Sequence, residues 1–536
     1  MKIRQSAAFI SLTLAGGIAL AIAACSSHDD CDTNCQLQNK VQTVVVIYAE
    51  NRSFDNLYGL FPGANGIPGV NPTASGTISP QIDRTAASPV LAKLPQTWGG
   101  VTAAGQSTVV TQAQSDNLPN ASFKIESTFN IDKSVITRDL YHRFFENQMQ
   151  INGGKNDKFA GWADAGGLVM GYYDGSSMAM WNIAKANVLA DNFFMGAFGG
   201  SFLNHQYLIC ACAPEYPNAD TAAAHPTIAT LDTDASGKFL AKLTTTATMP
   251  ASALDGPPGY MLSGNIAPRN YFGDGTFRAI NTMQPAYQPS GNAPATSDTT
   301  GLFANPAGAT TLPPQTQATI GDRLEAKSIS WKWYSQAWAQ ASSNRAVIYN
   351  NIVPNFQAHH HPFNYFAKVD PVAAGSYRGA HLKDYNDLVA DAAAGTLPQV
   401  VFYKPEGDNN QHPGYASVAP GDAHLADLIS KLQASPQYKS MVIVVTYDEN
   451  GGFWDHVGPP KGDLLGPSNR IPAIIVSPLA KAGTVDHTQY DTASVLRLIT
   501  RRFSLDPLPG ITARDAALTG NGGQPMGDLT NALNLN

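Results

Sequence analysis

The sequence is poor in charge: Lys, Arg, Asp and Glu make up 14% of 536 residues, well under the roughly 25% of an average soluble protein. That scarcity excludes a coiled coil and a disordered chain, both of which need far more charge. A basic excess is missing as well, with 34 Lys and Arg against 41 Asp and Glu, so the chain lacks the electrostatic footprint of a nucleic-acid binder. No internal repeat is present, although Gly (47) and Pro (36) are plentiful, which excludes collagen and solenoids and favours loop-rich architecture. The apolar share of 43% is ample for a core, and the length suits one large α/β catalytic domain with insertions.

Long apolar runs are absent with one exception. Behind Lys2 and Arg4, residues 7–24 carry no charge, the pattern of an export signal. The segment ends in Ile22-Ala23-Ala24-Cys25, which resembles a bacterial lipoprotein cleavage box. Residues 1–24 therefore read as a signal peptide and Cys25 as the lipidated first residue, with plain signal cleavage as the alternative. Residues 25–40 read as an N-terminal linker and 41–536 as a single catalytic domain. Membrane attachment is expected only through Cys25, and the place of action is the periplasm, the outer membrane or the cell exterior. Cysteines are few: besides Cys25 there are Cys31, Cys35, Cys210 and Cys212. In an exported chain these predict a disulfide framework of open pairing, with a four-thiolate zinc site as the weaker alternative.

Val41–Tyr48, Gln399–Tyr403, Met441–Tyr447 and Pro472–Val476 are continuous apolar runs, as expected of strands covered on both faces. A helix over Asp422–Leu432, opened by Asp422 as cap, separates two of them, so a mostly parallel sheet is expected. Segments 63–120 and 214–325, dense in Thr, Ala, Pro, Gly and Ser, read as insertions. Ligands of such sheets bind at the carboxyl ends of strands. There the first strand runs into Glu50-Asn51-Arg52-Ser53-Phe54-Asp55, and the third into Asp448-Glu449-Asn450 and on to Asp455-His456. Converging carboxylates cannot all ionise without a cation, and Glu50, Asn51, Asp448 and Glu449 are hard oxygen donors, so one divalent metal ion is expected. Oxygen ligands admit Mg, Ca or Mn; a histidine ligand would bring in Zn or Fe. The plainer alternative is that each is only a cap or turn residue.

Gly199-Gly200-Ser201 stands where a helix through Ile209 should begin, a place where backbone and an anionic oxygen can approach closely. Ser201 is thus a candidate nucleophile, activated if a metal lies beside it. His142, His359, His360, His361, His412 and His456 sit in polar, Gly- or Pro-flanked segments. They could donate to phosphate oxygens or protonate a leaving alkoxide, although adjacent members of the triple point different ways and cannot all reach one site. His28, His225, His381 and His424 read as surface or core residues. Trp331, Trp333 and Tyr334 could form a lipid-binding lid, or a half-buried strand.

These segments together carry a resemblance. Glu50–Asn56 resembles the opening signature of the bacterial phosphoesterase family that contains phosphatidylcholine-type phospholipases C and acid phosphatases of the AcpA kind. Tyr447–Val457 is similar to its second signature and Val485–Tyr490 to its C-terminal one. Gly199–His205, His359–Tyr365 and Tyr141–Phe159 look more like the acid phosphatase branch. The resemblance implies an alkaline-phosphatase-like α/β fold, a mostly parallel sheet sandwiched by helices. It implies that Glu50, Asn51, Asp448 and Glu449 bind the metal together with Ser201, the nucleophile. It further implies that His142, His359, His360 and His412 contact phosphate or transfer protons, with His205 counted among the substrate-binding residues. The expected activity is that of an exported, metal-dependent acid phosphatase acting on phosphate monoesters. A phospholipase C is the alternative, and a non-enzymatic surface lipoprotein the third reading.

Overall fold

A computed structural model describes residues 31–350 and 352–535; the expected signal peptide and Cys25 lie outside them. Thr43–Ala49 (β1) is a β-branched run whose every residue is buried, so it sits at the middle of a sheet covered on both faces. Around it lie Val188–Ala190 (β2), Trp331–Ser335 (β3), Leu382–Asp384 (β4), Val400–Lys404 (β5), Met441–Tyr447 (β6), Ala473–Val476 (β7) and Thr484–Asp486 (β8). The order is β8–β2–β7–β6–β1–β5–β3–β4. β1 pairs in parallel with β5 (Val44 opposite Val400) and β6 (Val44 opposite Val442), so their carboxyl ends come out side by side.

One expected strand departs from the parallel pattern. β7 runs antiparallel to both β6 and β2. The chain between β6 and β7 contains no crossover helix, and without one a strand returns in the opposite direction. Trp331, Trp333 and Tyr334 belong to β3 and are buried, so they form no lid.

Helices cover both faces. Ala179–Ala186 (α2), Tyr385–Ala394 (α4) and Val418–Gln433 (α5) form one layer. Thr33–Lys40 (α1), Ser201–Cys210 (α3) and Thr492–Phe503 (α6) form the other. α5 begins after Ser417, four residues before the expected cap, and Asp422 lies inside it. The Asp422 carboxylate caps a different helix, accepting from the N–H groups of Ala179 (2.7 Å) and Met180 (3.0 Å) at the start of α2. Residues 33–40, read as linker, are helical because Asp32 caps Cys35 N–H and Leu37 is buried against α6. The disulfides close locally, Cys31 to Cys35 and Cys210 to Cys212, which rules out a four-thiolate zinc site. Segments 63–120 and 214–325 contain little regular structure, chiefly the hairpin of Leu231–Thr233 and Phe239–Leu243.

Candidate active site

β1 and β6 stay in register to their last residues, Ala49 opposite Tyr447, and the Asp448 N–H still bonds to Ala49 O (3.1 Å). Glu50 and Asp448 therefore leave the sheet as neighbours. The chain turns sharply at Asn51, in the left-handed region at φ 58°, which asparagine tolerates better than most residues. That turn aims the Asn51 N–H at Asp448 Oδ1 (3.1 Å), which also accepts from Glu449 N–H (2.8 Å). Gly451 faces this turn at φ 61°, and a Cβ there would stand 2.3 Å from Asn51 O.

Ser201 is the first residue of α3, behind the cap Gly200. Gly199, at φ 88°, lies so close to Phe144 that a Cβ would sit 2.6 Å from its backbone nitrogen, so the glycine pair lets this helix start pack against the neighbouring segment. The Ser201 hydroxyl donates to Asn51 Oδ1 (3.2 Å). His142 Nε2 lies 3.3 Å from Asn51 Nδ2 and 3.5 Å from Glu449 Oε1. Ser201, Gly200, Phe202, His142, His359 and His412 line one cavity of about 320 Å³, with Asp139, Tyr141, Arg143 and Tyr415 also on its wall.

Deeper in, the groups are wholly buried. Glu50, Asp448 and Glu449 are each 0% exposed. Burial holds all three carboxyls above their usual range, and the charge of Asp448 adds to the shift at Glu449. Burial also keeps the imidazoles neutral: His205, His360 and His412 titrate well below the ordinary histidine range, and His359 at about 3. Glu50, His205 and Asp448 offer ligand atoms within 4.8 Å of one another. Asp448 Oδ2, Glu449 Oε1 and His205 Nε2 are buried without any hydrogen-bond partner, which a protein tolerates only where something else satisfies them. An oxygen-rich donor set with three orphaned atoms fits a divalent cation.

Most of the predicted residues are brought together, but two histidines occupy different places than expected. His205 is one helical turn below Ser201, donates Nδ1–H to Ser201 O (2.7 Å) and is fully buried, so it belongs with the carboxylates rather than with the substrate. His360 is stacked on it (4.9 Å between rings) and faces Glu50 Oε1 at 2.8 Å, away from the cavity. His361 turns into the core against Trp338 and Trp333. Residues invisible to motif reading are Lys404, whose Nζ lies 2.6 Å from Glu50 Oε1, and Tyr415, stacked on His412. Lys404 ends β5, and the pairing of β5 with β1 brings its ammonium against Glu50.

The remaining acidic signature residues serve the frame. Asp55, Asp455 and His456 could also hold an ion by spacing, but the Arg470 guanidinium sits among them, bonded to Asp455 Oδ1 (2.8 Å) and Asp55 Oδ1 (3.2 Å). Arg470 also ties in Asp191 O (2.7 Å) and is 0% exposed. Arg470→Ala leaves two buried carboxylates uncompensated and is expected to cost about 3–5 kcal/mol, read as a lower urea midpoint at unchanged m-value. His487, in the C-terminal signature, pairs with Asp191 (2.8 Å), outside the cavity.

Phospholipase C B of Mycobacterium tuberculosis is 29% identical over 240 residues, 40% of this chain and 42% of that protein. Non-hemolytic phospholipase C of Pseudomonas aeruginosa is 26% identical over 254 residues, 41% of this chain and 33% of that protein. The chain thus spans less than half the length of these curated relatives. Among solved structures, an alkaline phosphatase superfamily protein of Vibrio parahaemolyticus aligns over 65% of each chain at 8% identity and a TM-score of 0.30. The acidic strand ends, the serine turn and the cavity histidines all fall within residues 41–506, the stretch that matches the model of the Phosphoesterase family, and the chain belongs to that family.

Proposed function

We propose that the protein hydrolyses phosphate esters with Ser201 as nucleophile, and that its preferred substrates are small monoesters, as for an acid phosphatase. The observation that supports this best is the Ser201 hydroxyl on the cavity wall, at the N-terminus of α3 and bonded to Asn51 within the carboxylate cluster. Gly200, Ser201 and Phe202 line the cavity, so first-turn N–H groups of α3 can receive the non-bridging phosphoryl oxygens. Neutral His359, whose Nδ1 meets the Tyr349 hydroxyl, has an Nε2–H to donate there, whereas His412 donates its own N–H from Nδ1 to Pro413 O. Ser201 Oγ attacks phosphorus in line as its proton passes to a cavity base such as His142, whose Nδ1 is engaged by Leu140 O and leaves Nε2 to accept; the ester oxygen departs with that proton, and water releases phosphate from the phosphoserine. A divalent ion held by Glu50, Asn51, Asp448 and Glu449 would neutralise phosphoryl charge and lower the serine pKa.

A phospholipase C is the second reading. It is supported by the names of the curated relatives and by exposed apolar side chains near the cavity. Tyr349 bonds to His359 (2.8 Å), and Ile352 and Val353, both 69% exposed, follow in the same loop. Exposed apolar residues beside a site can meet a lipid surface. The test compares a small aryl phosphate with phosphatidylcholine vesicles from about pH 4 to about 9. Faster turnover of the monoester upholds the phosphatase reading. Faster cleavage of the lipid, lost selectively in Ile352→Ser/Val353→Ser, moves the protein to the lipase branch.

A further inference from the structure

Lys404 is 1% exposed at the end of β5, and nothing in the proposed chemistry uses it. Its ammonium pairs with Glu50 Oε1 at 2.6 Å and donates to Tyr48 O (3.0 Å) and Ala49 O (3.5 Å), so it is held against β1 and the residue that follows it. It is not among the residues lining the cavity. A cation so placed cannot bind the substrate phosphate; it faces the back of the carboxylate cluster. Glu50 Oε1 is thereby pinned between Lys404 and His360, while Oε2 is turned toward Tyr415 (3.5 Å) and His412 (4.0 Å).

Resting on the metal reading above, we propose that Lys404 is a positioning residue that orients Glu50 and sets the cluster's charge to match a dication. Glu50, Asp448 and Glu449 supply three wholly buried carboxylates, and Lys404 lies against the first of them. With one ammonium built in, the ionised cluster carries two net negative charges; without it, the cluster would match a trication. Two unit charges several ångström apart at a partly screened site interact strongly enough to change an equilibrium on the order of 100-fold. Lys404 therefore discriminates between ions by charge rather than by size.

The test uses Ca²⁺ and La³⁺, ions of nearly equal radius, with affinities measured by calorimetry on the chelator-treated full chain and on variants that melt cooperatively. Lys404→Gln, which keeps a donor for Tyr48 O and removes the charge, is expected to raise the La³⁺:Ca²⁺ affinity ratio by on the order of 100-fold. Lys404→Arg should keep the wild-type ratio. The double variant Lys404→Gln/Glu50→Gln, which removes both partners of the buried pair and leaves no orphaned charge, should return the ratio close to wild type. A purely structural role would weaken both ions alike. An unchanged ratio in Lys404→Gln with Ca²⁺ still bound, or a double variant whose ratio departs from wild type by as much as Lys404→Gln, overturns the role of Lys404 and leaves the metal site standing. Wild type binding neither ion overturns both.

Discussion

Ser201→Ala is expected to lose hydrolysis of every phosphate ester the wild type cleaves by about 10³-fold or more while keeping its fold. The hydroxyl makes one hydrogen bond, to Asn51 Oδ1 (3.2 Å), whose loss costs only about 1 kcal/mol. Alanine suits a helix at least as well as serine does, and Gly200 caps α3 without help from the Ser201 side chain. The chemistry has no such reserve. Of the cavity-wall hydroxyls, Tyr415 leans on Glu50 Oε2 (3.5 Å) whereas Ser201 stands at the start of α3 bonded to the Asn51 amide, and removing a nucleophile there leaves only what positioning and electrostatics supply. The check is turnover under saturating divalent ion beside a thermal melt. Turnover within tenfold of wild type would transfer the nucleophilic role to water.

The second large effect is a pair of opposite changes in Glu449→Gln. Glu449 is fully buried, its Oε1 is unpartnered and its Oε2 accepts from Gly451 N–H. Burial first, and then the Asp448 charge, holds its folded pKa well above that of an exposed glutamate. Between the unfolded and folded values the native state holds the extra proton, so ionising Glu449 makes the metal-free protein less stable as pH rises through that window. Glutamine, neutral and isosteric, removes the penalty. At neutral pH chelator-treated Glu449→Gln should be more stable than wild type by on the order of 1–3 kcal/mol, the difference vanishing below about pH 4. With saturating divalent ion the order reverses, because the variant lacks a ligand, and activity falls by about 100-fold or more. Melts with and without chelator across pH decide it. A variant less stable than wild type in chelator would mean that Glu449 is a structural acceptor.

The carboxylates were legible because they follow strands whose apolar runs are unmistakable, and ligands gather at strand ends in parallel sheets. Met441–Tyr447 was found to the residue. The serine turn was legible for a similar reason, a glycine pair where a helix had to begin. Lys404 was overlooked because a lysine after an apolar run is ordinarily a solvated strand end, and only the pairing of β5 with β1 puts its ammonium against Glu50. His205 and His360 were misplaced because composition cannot say which way an imidazole points. Here His205 lies one turn below Ser201, and His360 reaches Glu50 from a separate loop.

By itself the amino-acid order determined the hydrophobic strands, the start of α3, the scarcity of charge and which acidic and serine residues gather at the candidate site, because each depends on local periodicity or on residue type. Tertiary structure alone decided which way β7 runs, that Asp422 caps another helix, and that the acids of the signatures divide between two clusters. Glu50, Asp448 and Glu449 remain without full compensation, whereas Asp55 and Asp455 are neutralised by Arg470. The two sets look alike along the chain. They differ because a carboxylate's role depends on whether a buried cation reaches it, and that is settled by groups brought together from distant parts of the sequence.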